Sequence, residues 1–156
     1  MSARILVTGA AGFVASHVSA MLLARGDEVV GIDNFDPYYP ASRKWNNIAE
    51  VRGGPGGGRF TLVQADVRDR DHMARILGTG FDAVAHLAAL AGVRASVERP
   101  HDYVDVNVGG TLSVLDAARR ASVRNVVVVS TSSVYGNASP PFVEDDPADR
   151  PLAPYA

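Results

Sequence analysis

The 156-residue chain contains no cysteine, so neither a disulfide framework nor a thiolate zinc site is available to it. It also lacks an excess of either charge: 15 Lys and Arg against 17 Asp and Glu leave a net charge of −2. Without a general basic field, nucleic acid is not an expected partner. Missing too is any apolar run near the roughly 20 residues that cross a bilayer, so no membrane partner is expected. Met1 leads almost directly into a strand pattern, which leaves no room for a signal peptide and predicts a cytoplasmic protein. Apolar residues nevertheless make up 47% of the chain, enough for the core of one domain.

What is present is organised around Arg4 to Ala15, R-I-L-V-T-G-A-A-G-F-V-A. The stretch reads as a short apolar strand, a glycine turn and the opening of a helix. Gly9 lets the backbone turn sharply, because a residue without Cβ reaches conformations costly to others. Gly12 keeps side-chain bulk off the helix N-terminus, where a pyrophosphate can rest on exposed N–H groups and the positive end of the dipole. Ala15 stands where a third small residue allows helix and strand to pack closely. A plain strand–turn–helix junction would use the same glycines. Asp33 separates the two readings, because it ends the next apolar run about twenty residues on, where a ribose-binding carboxylate belongs. The spacing predicts a dinucleotide site. An acidic ribose partner repels a 2′-phosphate, which favours NAD over NADP.

Ile5 to Val7 predict the first strand. Phe13, Val14, His17, Val18, Met21 and Leu22 fall at helical spacing in a helix from Phe13 to Ala24, stopped by Gly26. His17 is read there as a packed or capping side chain. Glu28 to Ile32 give the second strand. After N-F-D-P-Y-Y-P at Asn34 to Pro40 and a polar stretch, G-G-P-G-G-G at Gly53 to Gly58 reads as a flexible linker loop. Phe60 to Gln64 form a third strand. Asp66 beyond it either caps the next helix, Asp69 to Leu77, or receives an adenine amino group. A fourth strand, Ala83 to Leu87, runs into the small residues of Ala88 to Arg94, against which a cofactor can lie. Tyr103 to Ala121 carry Val104, Val108, Leu112, Leu115 and Ala118 as a long amphipathic helix. Its Asn107 either satisfies buried backbone groups or touches a ligand. Val126 to Val129 are a continuous apolar strand, the pattern of a central parallel strand covered on both faces. The alternation predicts an α/β fold, a Rossmann-type doubly wound parallel sheet of about five strands with ligands at their carboxyl ends.

An ordered set of blocks carries a resemblance. It comprises T-G-A-A-G-F-V at Thr8 to Val14, D-N-F-D-P-Y-Y at Asp33 to Tyr39 and H-L-A-A at His86 to Ala89. It continues with A-G-V-R-A-S-V-E-R-P at Ala91 to Pro100, S-S-V-Y-G at Ser132 to Gly136 and P-Y-A at Pro154 to Ala156. Over its whole length the chain resembles the extended short-chain dehydrogenase/reductase family, the NAD-dependent nucleotide-sugar epimerases and dehydratases. Within that family it most resembles the UDP-glucuronate 4-epimerase branch. The resemblance implies NAD as cofactor, a UDP-sugar as substrate and no metal. It makes Tyr155 the acid/base of a Y-x-x-x-K motif, taking the proton from the sugar 4-hydroxyl. It makes Thr131 the hydroxyl that binds the same oxygen and can relay its proton, where the residue alone could equally be a strand-end hydroxyl capping a turn. A free phenol has a pKa near 10, so the family relies on a lysine four positions later and on the positive nicotinamide.

By the same resemblance Gly9, Gly12, Phe13, Val14, Asp33, Asn34, Asp66, Val67, Leu87, Ala88, Ala89, Asn107, Ser130 and Tyr155 surround NAD. Arg94, Thr131, Ser132 and Ser133 lie toward the sugar nucleotide. Arg94 is either a solvated loop charge or a bidentate partner for the sugar carboxylate or a phosphate. Dehydratases and decarboxylases of the family place Asp or Glu at positions matching Ser132 or Ser133. Serine at both removes that extra acid/base and favours epimerisation, in which a hydride leaves C4, the keto-sugar turns over and the hydride returns to the other face. Two departures accompany the resemblance. Ala15 replaces the usual glycine, a small difference. The chain stops at Ala156, before the motif lysine, its helix and the substrate-binding part. Residues 1–156 are therefore expected to be the NAD-binding, amino-terminal part of a longer protein, inactive alone. The missing helix should leave apolar surface on the last strand and on the helix from Tyr103, inviting association. In full-length relatives those helices form a homodimer interface. The alternative is a stand-alone NAD-binding module or pseudo-enzyme, for which Thr131 and Tyr155 would be needless.

Overall fold

The computed structural model describes residues 2–156; Met1, on which the signal-peptide argument turns, lies outside them. Five strands pair in parallel: β1 (Arg4–Thr8), β2 (Glu28–Asp33), β3 (Phe60–Gln64), β4 (Ala83–His86) and β5 (Asn125–Val128). Their order is β3-β2-β1-β4-β5. The chain builds outward from β1 to β3, then crosses back to lay β4 on the other side of β1. Between β1 and β4 the winding reverses, which opens a crevice at the carboxyl ends of the strands. Thr8 is opposite Ile32 on one side and His86 on the other, so the ends of β1, β2 and β4 are level at that crevice.

Side chains alternate across β1 and divide the core in two. Ile5 and Val7 join Leu23, Val29, Ile48 and Phe60 under α1 (Phe13–Arg25) and α2 (Ala41–Gly53). Leu6 joins Val30, Ile32, Met73, Leu77, Val84 and Val114 under α3 (Arg70–Leu77) and a later helix. Beyond β4 the chain makes α4 (Val93–Glu98), α5 (Pro100–Tyr103), a π-helical segment over Val104–Gly110 and α6 (Thr111–Arg120). The amino ends of the strands are closed by polar bonds, with the Arg4 guanidinium donating to the carbonyls of Thr79 and Gly80. No helix among the described residues is long and apolar enough to cross a membrane.

Several local expectations are corrected. The face of α1 that meets the sheet is Ala15, Ser16, Ser19 and Leu23, whereas Phe13, Val14 and Met21 are exposed. Small side chains let the helix axis approach the strands, and the serine hydroxyls bond to the carbonyls of Phe13 and Ala15 within the helix. The polar stretch before Gly53 is α2, which buries Lys44, Ile48 and Val51. Gly53 to Gly58 is no flexible linker. Gly56 turns at φ +80°, and a Cβ on buried Gly57 would run into the Arg52 carbonyl, so the run is a packed corner. The helix expected from Tyr103 to Ala121 is interrupted by the π-helical segment. Its buried side is Tyr103, Gly110, Val114, Ala117 and Ala118, while Val104, Val108 and Leu112 are more than half exposed. β5, read as a central strand covered on both faces, is an edge strand; Val127 and Val128 in it and Val129 just beyond are exposed, as expected of the apolar surface on the last strand.

Candidate functional site

The glycine turn forms the floor of the crevice. Gly9 takes φ +71°, and a Cβ there would stand 3.0 Å from Ala88 N and Cα. The Gly12 amide closes the turn on Gly9 O at 2.8 Å, and Ala10 N reaches Ile32 O at 3.0 Å. Gly12 then caps α1 with no side-chain hydrogen bond, and the first turn carries no acidic residue. The opening N–H groups of α1 therefore keep their donor capacity and the positive end of its dipole, a fit for a pyrophosphate.

Asp33 ends β2 beside this turn, 6% exposed. Its Oδ2 accepts the Ala11 amide at 3.1 Å, and its Oδ1 accepts the Phe35 amide at 2.7 Å. The ammonium of Lys44, the sole lysine of the chain, reaches Oδ1 at 3.0 Å from α2. Both side chains are nearly buried, so the ammonium fixes the carboxylate and compensates its charge. A carboxylate offers about four acceptor positions, and three are taken here. The remaining one is on Oδ2, and Asp33 lines the groove. Lys44 was invisible to the sequence reading because α2 was not recognised as a helix. Its one signal is its place eleven residues after Asp33 and four after Pro40, where the run of turn residues ends.

The opposite wall is the Leu87–Ala91 loop, whose inner backbone groups are held by side chains. Thr8 Oγ1 accepts the Leu87 and Ala88 amides, both at 3.1 Å. Asn107 accepts the Leu90 amide at 2.8 Å and donates to the Leu90 carbonyl at 2.9 Å. Its amide thus holds the Leu90 backbone, while the side chain also lines the groove. Tyr103, 1% exposed, donates its hydroxyl proton to Ala91 O at 2.6 Å, and burial pushes its phenol up from the ordinary value. His86, 2% exposed, sits between Thr8 and Thr111, and burial alone pushes its imidazole down to about 4.

One groove passes Gly9, Gly12, Asp33, Asn34, Val67 and Leu87 to Ala91. It continues over Phe13, Val14, Asn107, Ser130, Thr131 and Tyr155, with Gly12, Leu87, Ala88 and Ala89 lining both parts. Tyr38 and Tyr39, not singled out from the sequence, edge the first part. Asp66 does not itself line the groove, although its neighbours Ala65 and Val67 do. Arg68 grips both its oxygens, at 2.9 and 2.7 Å, and Asn34 donates to Oδ2 at 3.0 Å. The hydrogen bonds from Arg68 hold its carboxyl well below the usual carboxylate range. The cap of α3 is Asp69, which accepts the His72 amide, so Asp66 is not the helix cap. Thr131 caps the short 3₁₀ turn Ser132–Tyr135 by accepting the Ser133 amide at 3.2 Å. Ser132 and Ser133 belong to that turn and do not line the groove. Tyr155 packs edge-to-face against Tyr103, ring centres 6.2 Å apart. Arg94 stands apart, 96% exposed, and reaches only Glu98 on its own helix.

A parallel sheet with a glycine turn, an open helix N-terminus and an acidic residue ending β2 defines a dinucleotide-binding domain of Rossmann type. The profile of the NAD dependent epimerase/dehydratase family matches residues 5–156, and the chain belongs to that family. It is 42% identical over 152 residues to a UDP-glucuronate 4-epimerase of Thermodesulfobacterium geofontis, covering 97% of this chain and 46% of that protein. It is also 42% identical to UDP-glucuronate 4-epimerase 1 of Arabidopsis thaliana, of which it covers 35%. Among solved structures, the UDP-glucose-4-epimerase of Stenotrophomonas maltophila, with bound NAD and formylated UDP-arabinopyranose, superposes with a TM-score of 0.87 at 33% identity. That match covers 98% of this chain and 44% of the other. The chain thus spans less than half the length of these relatives.

Proposed function

We propose that residues 1–156 are the NAD-binding domain of a UDP-sugar 4-epimerase of the UDP-glucuronate type. The observation that carries this reading is the conjunction in one groove of the uncapped α1 N-terminus, the acceptor-only Asp33 and the pair Thr131 and Tyr155. The first turn of α1 holds the pyrophosphate, Asp33 accepts from the adenosine ribose, and Val67 and Asp66 border the adenine. Lys44 compensates the charge of Asp33, so discrimination against NADP comes chiefly from geometry. A 2′-phosphate would present acceptors to a carboxylate that itself only accepts. Ala88 and Ala89 lie along the middle of the cofactor, with Phe13, Val14, Asn107 and Ser130 around its nicotinamide end.

When bound, NAD supplies the acceptor and donor of hydride for C4 of the sugar. The chain's own part is proton handling and orientation. Thr131 Oγ1 would hydrogen-bond the 4-oxygen, and Tyr155, as the phenolate, would take the proton from it and, as the phenol, return it. Ser132 and Ser133 add no further acid or base, in keeping with epimerisation rather than dehydration. Arg94, on an exposed helix turn, meets the sugar nucleotide only if its segment closes over the groove. These residues alone bind cofactor without turnover, and the exposed Val104, Val108 and Leu112 face serves a homodimer of the longer enzyme. Calorimetric titration of the purified chain with NAD, and with NADP as control, tests the reading. Micromolar binding of NAD with much weaker NADP is expected; binding of neither would refute the cofactor site.

A further inference from the structure

Beneath the groove, one chain of hydrogen bonds ties the end of β1 to the Leu87–Ala91 loop and to the helix beyond it. Thr8 Oγ1 accepts two amides, those of Leu87 and Ala88, and lies 2.7 Å from His86 Nδ1. On the far side of the ring, His86 Nε2 is 2.9 Å from Thr111 Oγ1. The Thr111 hydroxyl donates its own proton to the Asn107 carbonyl at 2.6 Å. A hydroxyl has one proton and two acceptor positions. Both acceptor positions of Thr8 are filled by amides, so its proton goes to Nδ1, which is bare. The proton of Thr111 is committed to Asn107, so its oxygen accepts and Nε2 carries the hydrogen. The two ends of the chain, read independently, require the same form of the ring.

We infer that His86 is a positioning residue. Locked as the neutral Nε2–H tautomer between Thr8 and Thr111, it fixes the Leu87–Ala91 backbone against the glycine turn and so sets one wall of the cofactor groove. The lock has little slack, since a Cβ on Gly9 would already press on Ala88 N and Cα at 3.0 Å. Asn107 and Tyr103 pin the next residues of the same loop, Leu90 and Ala91. A protonated ring would aim an Nδ1–H at an oxygen whose acceptor positions are full, and neither exposure nor a charged neighbour offsets that conflict. The effect on NAD rests on the proposed cofactor site; the lock itself does not.

Two measurements on the 156-residue chain decide the matter. Long-range ¹H–¹⁵N correlation of the ligand-free chain at pH 7, with His86 assigned by triple resonance, should place Nδ1 in the unprotonated range and Nε2 in the protonated range. A proton on Nδ1 would overturn the lock. Amide exchange is then compared in Thr8→Val, which removes the hydroxyl, and Thr8→Ser, which keeps it. Leu87 and Ala88 should lose protection by about tenfold or more in Thr8→Val and regain it in Thr8→Ser, with α1 amides unchanged. NAD affinity should follow the same order, about tenfold weaker in Thr8→Val and restored in Thr8→Ser. Equal protection in both variants would sink the inference. If the parent chain binds no NAD, the cofactor site fails, while the tautomer and exchange results still uphold or overturn the lock.

Discussion

Lowering the pH from 7 to 5 should remove about 2 kcal/mol of stability through His86 alone. The imidazole is 2% exposed, and burial depresses its folded-state value from 6.5 to about 4. In the unfolded chain the value returns to about 6.5. Between those limits the unfolded state binds a proton that the folded state refuses, so stability falls as the pH falls. The contribution is complete above about pH 6.5 and gone below about 4, a span worth about 3 kcal/mol at 1.36 kcal/mol per pH unit. Asp27 and Asp66 have carboxyls depressed from 3.8, so their losses begin below this window. Urea unfolding at pH 7, 6 and 5 reads the effect. With m of about 2 kcal/mol/M, the midpoint should drop by about 1 M across the range. A His86→Gln variant retains His17, His72 and His101, so subtracting its pH dependence isolates His86. Equal slopes in parent and variant would refute the reasoning. Should the variant fail to fold, an NMR titration of His86 in the parent replaces it, and a midpoint near 6.5 would be equally damaging.

Further consequences follow from the same geometry. Gly9→Ala places a Cβ at positive φ and against the Ala88 backbone; a loss of about 1–3 kcal/mol in urea unfolding is expected, with NAD binding abolished in calorimetry. Lys44→Met leaves the Asp33 carboxylate buried and unpaired, which should cost about 3 kcal/mol or more by the same unfolding assay. A cost near zero would mean that solvent reaches the pair. Leu112→Lys lies on an exposed apolar face and should change the stability of this chain by less than about 0.5 kcal/mol. In sedimentation it should reduce self-association, and an unchanged association constant would remove that face from the proposed interface.

The sequence by itself determined the five strands and the helices after β1, β3 and β4 in outline, because their apolar runs are bounded by turn residues, whereas α2, α4 and α5 carry no such apolar pattern. It also determined the crevice, since Gly9, Gly12 and Asp33 are local signals: a glycine turn and a strand-ending acid need no distant partner to be read. Burial was harder to read. α1 turns its small residues Ala15, Ser16 and Ser19 inward, and the larger apolar side chains Phe13 and Met21 outward. Periodicity gives the spacing of a stripe but not which neighbour covers it. The glycine run at Gly53 to Gly58 looked flexible because composition reports freedom, while its packing against Arg52 reports the absence of room for any other residue.

Only the tertiary structure decided the side-chain partnerships that shape the groove. Thr8 and His86 are 78 residues apart in sequence and 2.7 Å apart in space. They are neighbours because β4 crosses back to pair with β1. Lys44 meets Asp33 because α2 folds over the end of β2, and Asn107 meets Leu90 because the π-helical segment turns its amide onto the loop. Pairings of this kind depend on crossovers and helix rotation, quantities set by the packing of the whole sheet. Residue types along the chain name the groups that can bond; the fold alone selects which of them do.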